Sequence, residues 1–403
     1  MRIQLLAKRV VLLCALMAAL AGCGTTHTKR PVHLHEDPSG TVIADTVGEF
    51  GKHGTGAGDL EEPVGIAVDQ RSDDIYVVDS NHVRIEKFTS TGSFLLASGW
   101  GVADGRTRAP QTCTKKCFAG ISGSGAGQFN FPEGIAVDND PSSPSYRDVY
   151  VVDIRNHRVE KFSPRGIFLL SFGGGVNRTA QNDHRSAEEN VCPVHRGDIC
   201  GGGTQGPTGA QLELTVEGSF IAVGWDGTVY VGARNRVKTF APTGRYLSQI
   251  KLNPDPPASE DRESGGVSGL AVNAAGDLYV IRNNIVGVNE YTPSGNLMRT
   301  LEPGGHPAYP EGPAPSLALD PAGNVYIDIY ANYTHRIDEY NAEGVKIVSF
   351  DKGEKAPPGI ADKEDGIPGM AYNSHTKKLY VLNADVNVKP IVERVRIVAP
   401  PQP

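Results

Sequence analysis

The sequence predicts an all-β fold, a six-bladed propeller, and three observations carry that expectation. Four short strand-like registers recur in fixed order along most of the 403 residues, the periodicity of a repeat architecture. Turn formers separate them, drawn from 48 Gly and 28 Pro, so each repeat reads as a run of antiparallel hairpins. The last copy lacks its fourth strand, and the N-terminal side of the first copy has one to spare.

In chain order the registers read Gly-Ile-Ala-Val-Asp, Val-Tyr-Val, Val-Glu-Lys-Phe and Gly-x-Phe-Leu-Leu. The first copy is Gly65–Asp69, Ile75–Asp79, Ile85–Phe88 and Gly92–Ala97, and the second is Gly134–Asp138, Val149–Asp153, Val159–Phe162 and Gly166–Phe172. Weaker copies start at Phe220, Gly269, Ser316 and Gly369. Four short antiparallel strands per repeat make a propeller blade. Thr41–Val47, followed by Phe50-Gly51, is expected to supply the outer strand of the last blade, closing the ring and removing an edge that invites aggregation.

Upstream of the repeats, Arg2, Lys8 and Arg9 precede an apolar run from Val10 to Leu20, the order of a secretory signal and too short for a permanent span. The run ends in Leu20-Ala21-Gly22-Cys23, which resembles the bacterial lipobox. That resemblance implies lipidation at Cys23 and an exported protein held to the membrane by acyl chains. Cleavage after residue 22 removes three cations and no acid, moving the net charge from −7 to −10. The expected organisation is a signal peptide (1–22), a flexible tether (23–40), one propeller domain (41–399) and a short tail (400–403). The acidic balance and the absence of a Lys-Arg run speak against nucleic acid, whose binders concentrate basic charge.

The repeat resembles the NHL family. Its motif is matched by Pro132-Glu133-Gly134-Ile135-Ala136-Val137-Asp138, Val149–Asp153 and Asn156-His157-Arg158-Val159, with Pro63–Asp69, Ile75–Asp79 and Asn81-His82-Val83-Arg84-Ile85 close behind. Later repeats degrade the pattern. The resemblance implies the propeller and leaves function to be argued from a site.

Asp79 with Arg84 and Asp153 with Arg158 sit at equal spacing across one hairpin, where a carboxylate and a guanidinium can pair and fix the turn. His82, His157 and His335 share one register, which would ring one face. Three such histidines could hold a metal if they converged, but a structural turn is the preferred reading, and no metal or other cofactor is expected. The regular Tyr76, Tyr150, Tyr230, Tyr279, Tyr326 and Tyr380 read as packing between blades.

The sequence is most individual at residues 102–128 and 173–210, insertions far longer than the usual connection of about 4–6 residues. Both leave the same edge of the ring, and each carries two cysteines. In an exported protein these read as disulfides Cys113–Cys117 and Cys192–Cys200. The rival is zinc, prompted by Cys192-Pro193-Val194-His195 and His184, whose spacings fit no standard knuckle.

No Gly-x-Ser-x-Gly, His-Glu-x-x-His or phosphate loop occurs, so familiar hydrolase and nucleotide chemistry lacks support. Catalytic groups gathered from separate blades would escape local motifs. Glu62, Glu133, His306 and Glu311, on loops leading into blades, are the candidates, each read first as a solvated rim residue. The functional expectation is a monomeric binding module for a protein or glycan, engaged on the insertion face through His82, Arg84, Glu133, His157, Arg158 and His335. The competing expectation is a metal-dependent lyase or lactonase acting at the central channel.

Overall fold

The computed structural model describes residues 44–186, 188–193, 196–214, 220–253, 266–282, 287–302, 316–331, 334–351, 368–383 and 391–397. Cys23 and the signal segment, His195, His306 and Glu311 lie outside them.

The described residues begin with β1 (Ala44–Phe50) and a short parallel pair, β2 (Lys52–His53) and β3 (Asp59–Leu60). The first large sheet holds β4 (Pro63–Asp69), β5 (Asp74–Asp79), β6 (Arg84–Phe88), β7 (Phe94–Trp100) and β8 (Pro110–Cys113). The second holds β9 (Pro132–Val137), β10 (Val149–Asp153), β11 (Arg158–Phe162), β12 (Phe168–Phe172) and β13 (Val191–Pro193). A third follows from β14 (Ile221–Val223), β15 (Val229–Ala233), β16 (Arg236–Phe240) and β17 (Tyr246–Lys251). The fourth contains β18 (Val267–Val272), β19 (Leu278–Arg282), β20 (Val288–Tyr291) and β21 (Leu297–Leu301), and the fifth β22 (Leu317–Leu319), β23 (Val325–Ala331), β24 (Thr334–Tyr340) and β25 (Lys346–Asp351). These five are continuous stretches of chain. A further sheet is composite: β26 (Met370–Asn373), β27 (Lys378–Asn383) and β28 (Ile391–Ile397) accept β1 as their outer strand.

Within each large sheet the strands are antiparallel and follow chain order. The first strands neighbour one another in a cycle, β4 to β9, β14, β18, β22, β26 and back to β4. Sheets arranged in this way around an axis are the blades of a β-propeller. Because each sheet is covered on both faces by its neighbours, the middle strands are apolar without alternation: Ile75-Tyr76-Val77-Val78 and Val149-Tyr150-Val151-Val152 are wholly buried. Burying each such aliphatic side chain contributes about 1.5–3 kcal/mol.

The tyrosines of the second strands tie blade to blade. Tyr76 donates to the Pro164 carbonyl at 3.1 Å, Tyr150 to Pro242 at 3.2 Å and Tyr380 to Ser90 at 3.0 Å, each in the third-to-fourth strand turn of the following sheet. The last of these joins the composite sheet to the first, alongside Phe50, which packs on Phe88 and Tyr380. Ala44 pairs with Ile397 and Phe50 with Val392, a bulge at Val47 taking up one residue.

Two expectations are corrected here. The insertions are more than loops, since each adds a fifth strand, β8 on β7 and β13 on β12, covering backbone groups that an edge would expose. His335 does not occupy a turn: the fifth sheet's hairpin is longer, and His335 lies in β24 opposite Tyr330.

Candidate functional site on the insertion face

The hairpin joining second to third strands and the insertion after the fourth strand emerge on the same side of the ring. In the first sheet that hairpin runs Asp79 to Arg84; in the second it runs Asp153 to Arg158 through a 3-10 turn at Ile154–Asn156. One residue in the left-handed region closes each turn, Val83 at φ 53° and His157 at φ 46°.

The aspartates organise both hairpins alike. Asp79 accepts from Arg84 Nε at 2.9 Å and the Glu61 amide at 2.8 Å, and lies 2.9 Å from His82 Nδ1. Asp153 accepts from Arg158 Nε at 3.0 Å, the Asn130 amide at 2.7 Å and Asn156 Nδ2 at 2.7 Å. The partner of His82 in the second sheet is therefore Asn156, and His157 stands where the first sheet has Val83. The three histidines do not share one register. His82 is buried, with its other ring nitrogen 2.8 Å from Glu61. His157 is half-buried, its Nδ1 has no hydrogen-bond partner, and burial holds its pKa below the usual histidine range.

Arg84 and Arg158 are fully buried, so they hold the face together and present nothing to a partner. Arg84 donates to the carbonyls of Thr55 and Phe118 through Nη1 and of Gly56 and Asp59 through Nη2. Arg158 donates in the same pattern to Ser124 and Gly201, and to Gly125 and Gln128. The planar fork of five N–H donors suits this task. Its targets are the turns Gly56-Ala57-Gly58-Asp59 and Gly125-Ala126-Gly127-Gln128, which lead into the first and second sheets, together with the insertions themselves. Arg158 thereby clamps both insertions at once.

Each arginine also meets a second buried carboxyl, Glu86 at 3.0 Å and Glu160 at 2.7 Å. Burial pushes Glu86 up to about 8, outweighing an Arg84 already engaged by Asp79, and it drives Glu160 well above the usual range. Burial therefore favours the protonated form of the glutamate beside each guanidinium, and in the second sheet it raises Asp153 as well, against the opposing pull of Arg158.

The insertions are internally fixed. Gly120 of the first donates to the His82 carbonyl at 2.6 Å, and Trp100 Nε1 reaches the Ala126 carbonyl at 2.7 Å. Gly203 of the second donates to the Asn156 carbonyl at 2.6 Å, while Asn177 caps a short helix at Arg178–Asn182 and holds Asp198. Cys113 pairs with Cys117 at a Cα separation of 5.6 Å and Cys192 with Cys200 at 5.5 Å. What remains exposed is chemically distinct. Phe118 and Ile199 stand in solvent, and Arg106, Arg108, Lys115 and Lys116 are exposed on the first insertion. Its only acid, Asp104, is held below the usual range by hydrogen bonds from Thr107 and the Arg106 amide. Arg155 lies 4.8 Å over the Phe131 ring at the foot of the same face.

Glu133, near the start of β9, is set apart: burial alone raises its carboxyl well above the usual range, and no ion pair or hydrogen bond reaches its side chain among the described residues. Glu62 is exposed at φ 53°. Among the described residues no three His, Cys, Asp or Glu side chains are grouped to hold a metal ion.

Residues 60–88, from the end of β3 through β6, match the family model of the NHL repeat. That match covers one repeat, and with the ring of antiparallel sheets it supports an NHL-type β-propeller. No curated protein matches the sequence. Among solved structures the chain is similar to virginiamycin B lyase from Staphylococcus aureus, at 10% identity over 87% of this chain and 99% of that one, with a TM-score of 0.47. It is similar also to a gluconolactonase from Xanthomonas campestris, at 11% identity over 87% and 89% of the two chains, with a TM-score of 0.49.

Proposed function

We propose that the protein is an exported lipoprotein, acylated at Cys23, whose ring counts six blades with the composite sheet as the sixth, and which captures a protein or glycan on its insertion face. The single observation behind the binding role is the clamp of Arg158 on both insertions, which holds two lobes rigid on one platform. Rigid loops on a fixed scaffold bind with little ordering cost. The first insertion sets four cations against one acid on a chain of net charge −7, so the partner presents acidic groups, with Phe118 supplying apolar contact. The test is to replace residues 103–122 with a short Gly-Ser link and to make Lys115→Glu/Lys116→Glu separately. Lys115→Glu/Lys116→Glu is expected to keep the parent's melting behaviour within a few degrees, the replacement, which removes β8 and the Phe118 carbonyl that Arg84 holds, to lower it with the ring still folded, and both to lose partners captured from cell-envelope extracts. Unchanged capture by both defeats the assignment.

A second, catalytic reading has one observation behind it, the unpaired Glu133, whose raised pKa favours a carboxyl that holds its proton and can pass it on. A lactone or lyase activity abolished by Glu133→Gln, with capture intact, would favour it.

A further inference from the structure

Seven of the nine large hydrophobic side chains exposed among the described residues lie on the side opposite the insertions. Ile167 sits in the turn between β11 and β12 and Trp225 in the turn between β14 and β15; Val345 immediately precedes β25. Leu247, Leu297, Met298 and Ile347 occupy the first two positions of outer strands, beside the same turns. They form an arc over four consecutive sheets, from the second to the fifth.

The exposed charges at the turns of these four sheets are Arg165, Arg245 and Lys346, the last paired with Asp338, against Asp226 and Glu343, and Arg71 and Lys377 add two cations on the same side in the flanking first and composite sheets. Strand polarity gives a further, independent bearing. β27 and β28 are joined on the insertion side, because Asn383 pairs with Ile391. Ala44 pairs with Ile397, at the other end of β28, so the chain enters β1 on the opposite side, beside the apolar arc. Cys23 precedes Ala44 by 21 residues, a reach of up to ~70 Å when extended. A reach of that order does not by itself decide which side of the ring rests on a membrane, and the chemistry of the turns selects it.

We propose that this arc lies on an anionic lipid bilayer, with Trp225 and Ile167 at headgroup depth and the insertions directed away from the membrane. The inference rests on the lipid-anchored reading. Tryptophan prefers the interface, where an apolar ring meets water, and cations beside it are drawn to anionic headgroups.

The full acylated chain, reconstituted in phosphatidylglycerol vesicles whose acyl chains carry bromine, provides the test. It has two tryptophans, and Trp100 lies on the insertion side. Wild-type emission is expected to fall by about half, as one of two fluorophores meets the bilayer, and the Trp225→Phe variant to lose almost none. This exposed substitution leaves the core untouched, and Arg165→Glu/Arg245→Glu should weaken the quenching without it. Equal quenching of wild type and Trp225→Phe overturns the proposal. So does an unquenched Trp225 whose emission shifts only when envelope proteins are added, which would give the face to a protein. Mass spectrometry of the Cys23 peptide separates the two readings: an unmodified cysteine ends the anchor, whereas an acylated chain with unquenched Trp225 ends the face assignment alone.

Discussion

The first two sheets and the third solve one problem with different residues. In the former, the arginine of a buried Asp–Arg–Glu set donates to the carbonyls of the turn leading into the blade. In the third sheet the equivalent of Asp153 is Ala233 and that of Glu160 is Lys238, as the pairings Ala233 with Arg236 and Val231 with Lys238 establish. Arg236 is only half-buried, and Lys238 takes over, reaching the carbonyls of Pro207 at 3.1 Å, Gly209 at 2.9 Å and Gln211. What the architecture needs at this point is one buried cation aimed at backbone oxygens. The two carboxyls of the first two sheets accompany the buried guanidinium that does it there; in the third sheet both are gone, and Arg236, at the same register, reaches one backbone oxygen among the described residues, the Pro207 carbonyl at 3.3 Å.

The harshest way to break this comparison is Arg158→Ala. It leaves Asp153 buried without its cation and frees carbonyls on both insertions, so the expected loss is about 3–5 kcal/mol, read by denaturant unfolding. Arg158→Lys should recover part of it, because a lysine in the third sheet performs the same capping. If Arg158→Ala costs less than about 1 kcal/mol, the clamp is ornamental.

A smaller effect concerns pH. Glu86 has a folded pKa near 8 against an ordinary value of 4.5, so the folded state holds the proton more tightly. The stability this contributes is complete below about pH 4.5 and is lost as pH rises through about 8. Glu86→Gln should flatten that decline, by up to a few kcal/mol at its upper end. A variant whose stability falls over this window as steeply as the parent's would contradict the assignment. The smallest expected change sharpens the comparison by converting one solution into the other. Lys238→Glu alone should destabilise the third sheet by about 2–3 kcal/mol, while Ala233→Asp with Lys238→Glu should recover most of the loss by drawing Arg236 inward. A double-mutant cycle without coupling would show that the sheets are not interchangeable.

The sequence made the strand registers, the Asp–Arg spacing and the cysteine pairs legible, because each rests on residues close in the chain. The register of the histidines misled. Asn81-His82 and Asn156-His157 align as text, yet the dipeptide sits one residue later relative to the aspartate in the second hairpin, so the slot that faces the aspartate holds His82 in one and Asn156 in the other. The fifth strands escaped notice because Pro110–Cys113 and Val191–Pro193 are too short to show a period. The clamp was hidden for a different reason. The acceptors of Arg158 are main-chain oxygens 30 to 43 residues away, and backbone carbonyls leave no mark in a sequence.

The composite sheet has a consequence for how the molecule is made. Ala44 and Ile397 are partners across nearly the whole chain, and bringing them together costs roughly 5 kcal/mol of loop entropy. During synthesis β1 emerges before the other sheets and β28 after them, so the first strand waits unpaired while the other blades form, and the ring locks once β28 is made. Loss of the final strand would thus leave five assembled blades with two open edges, a species far more prone to stick to itself than to unfold.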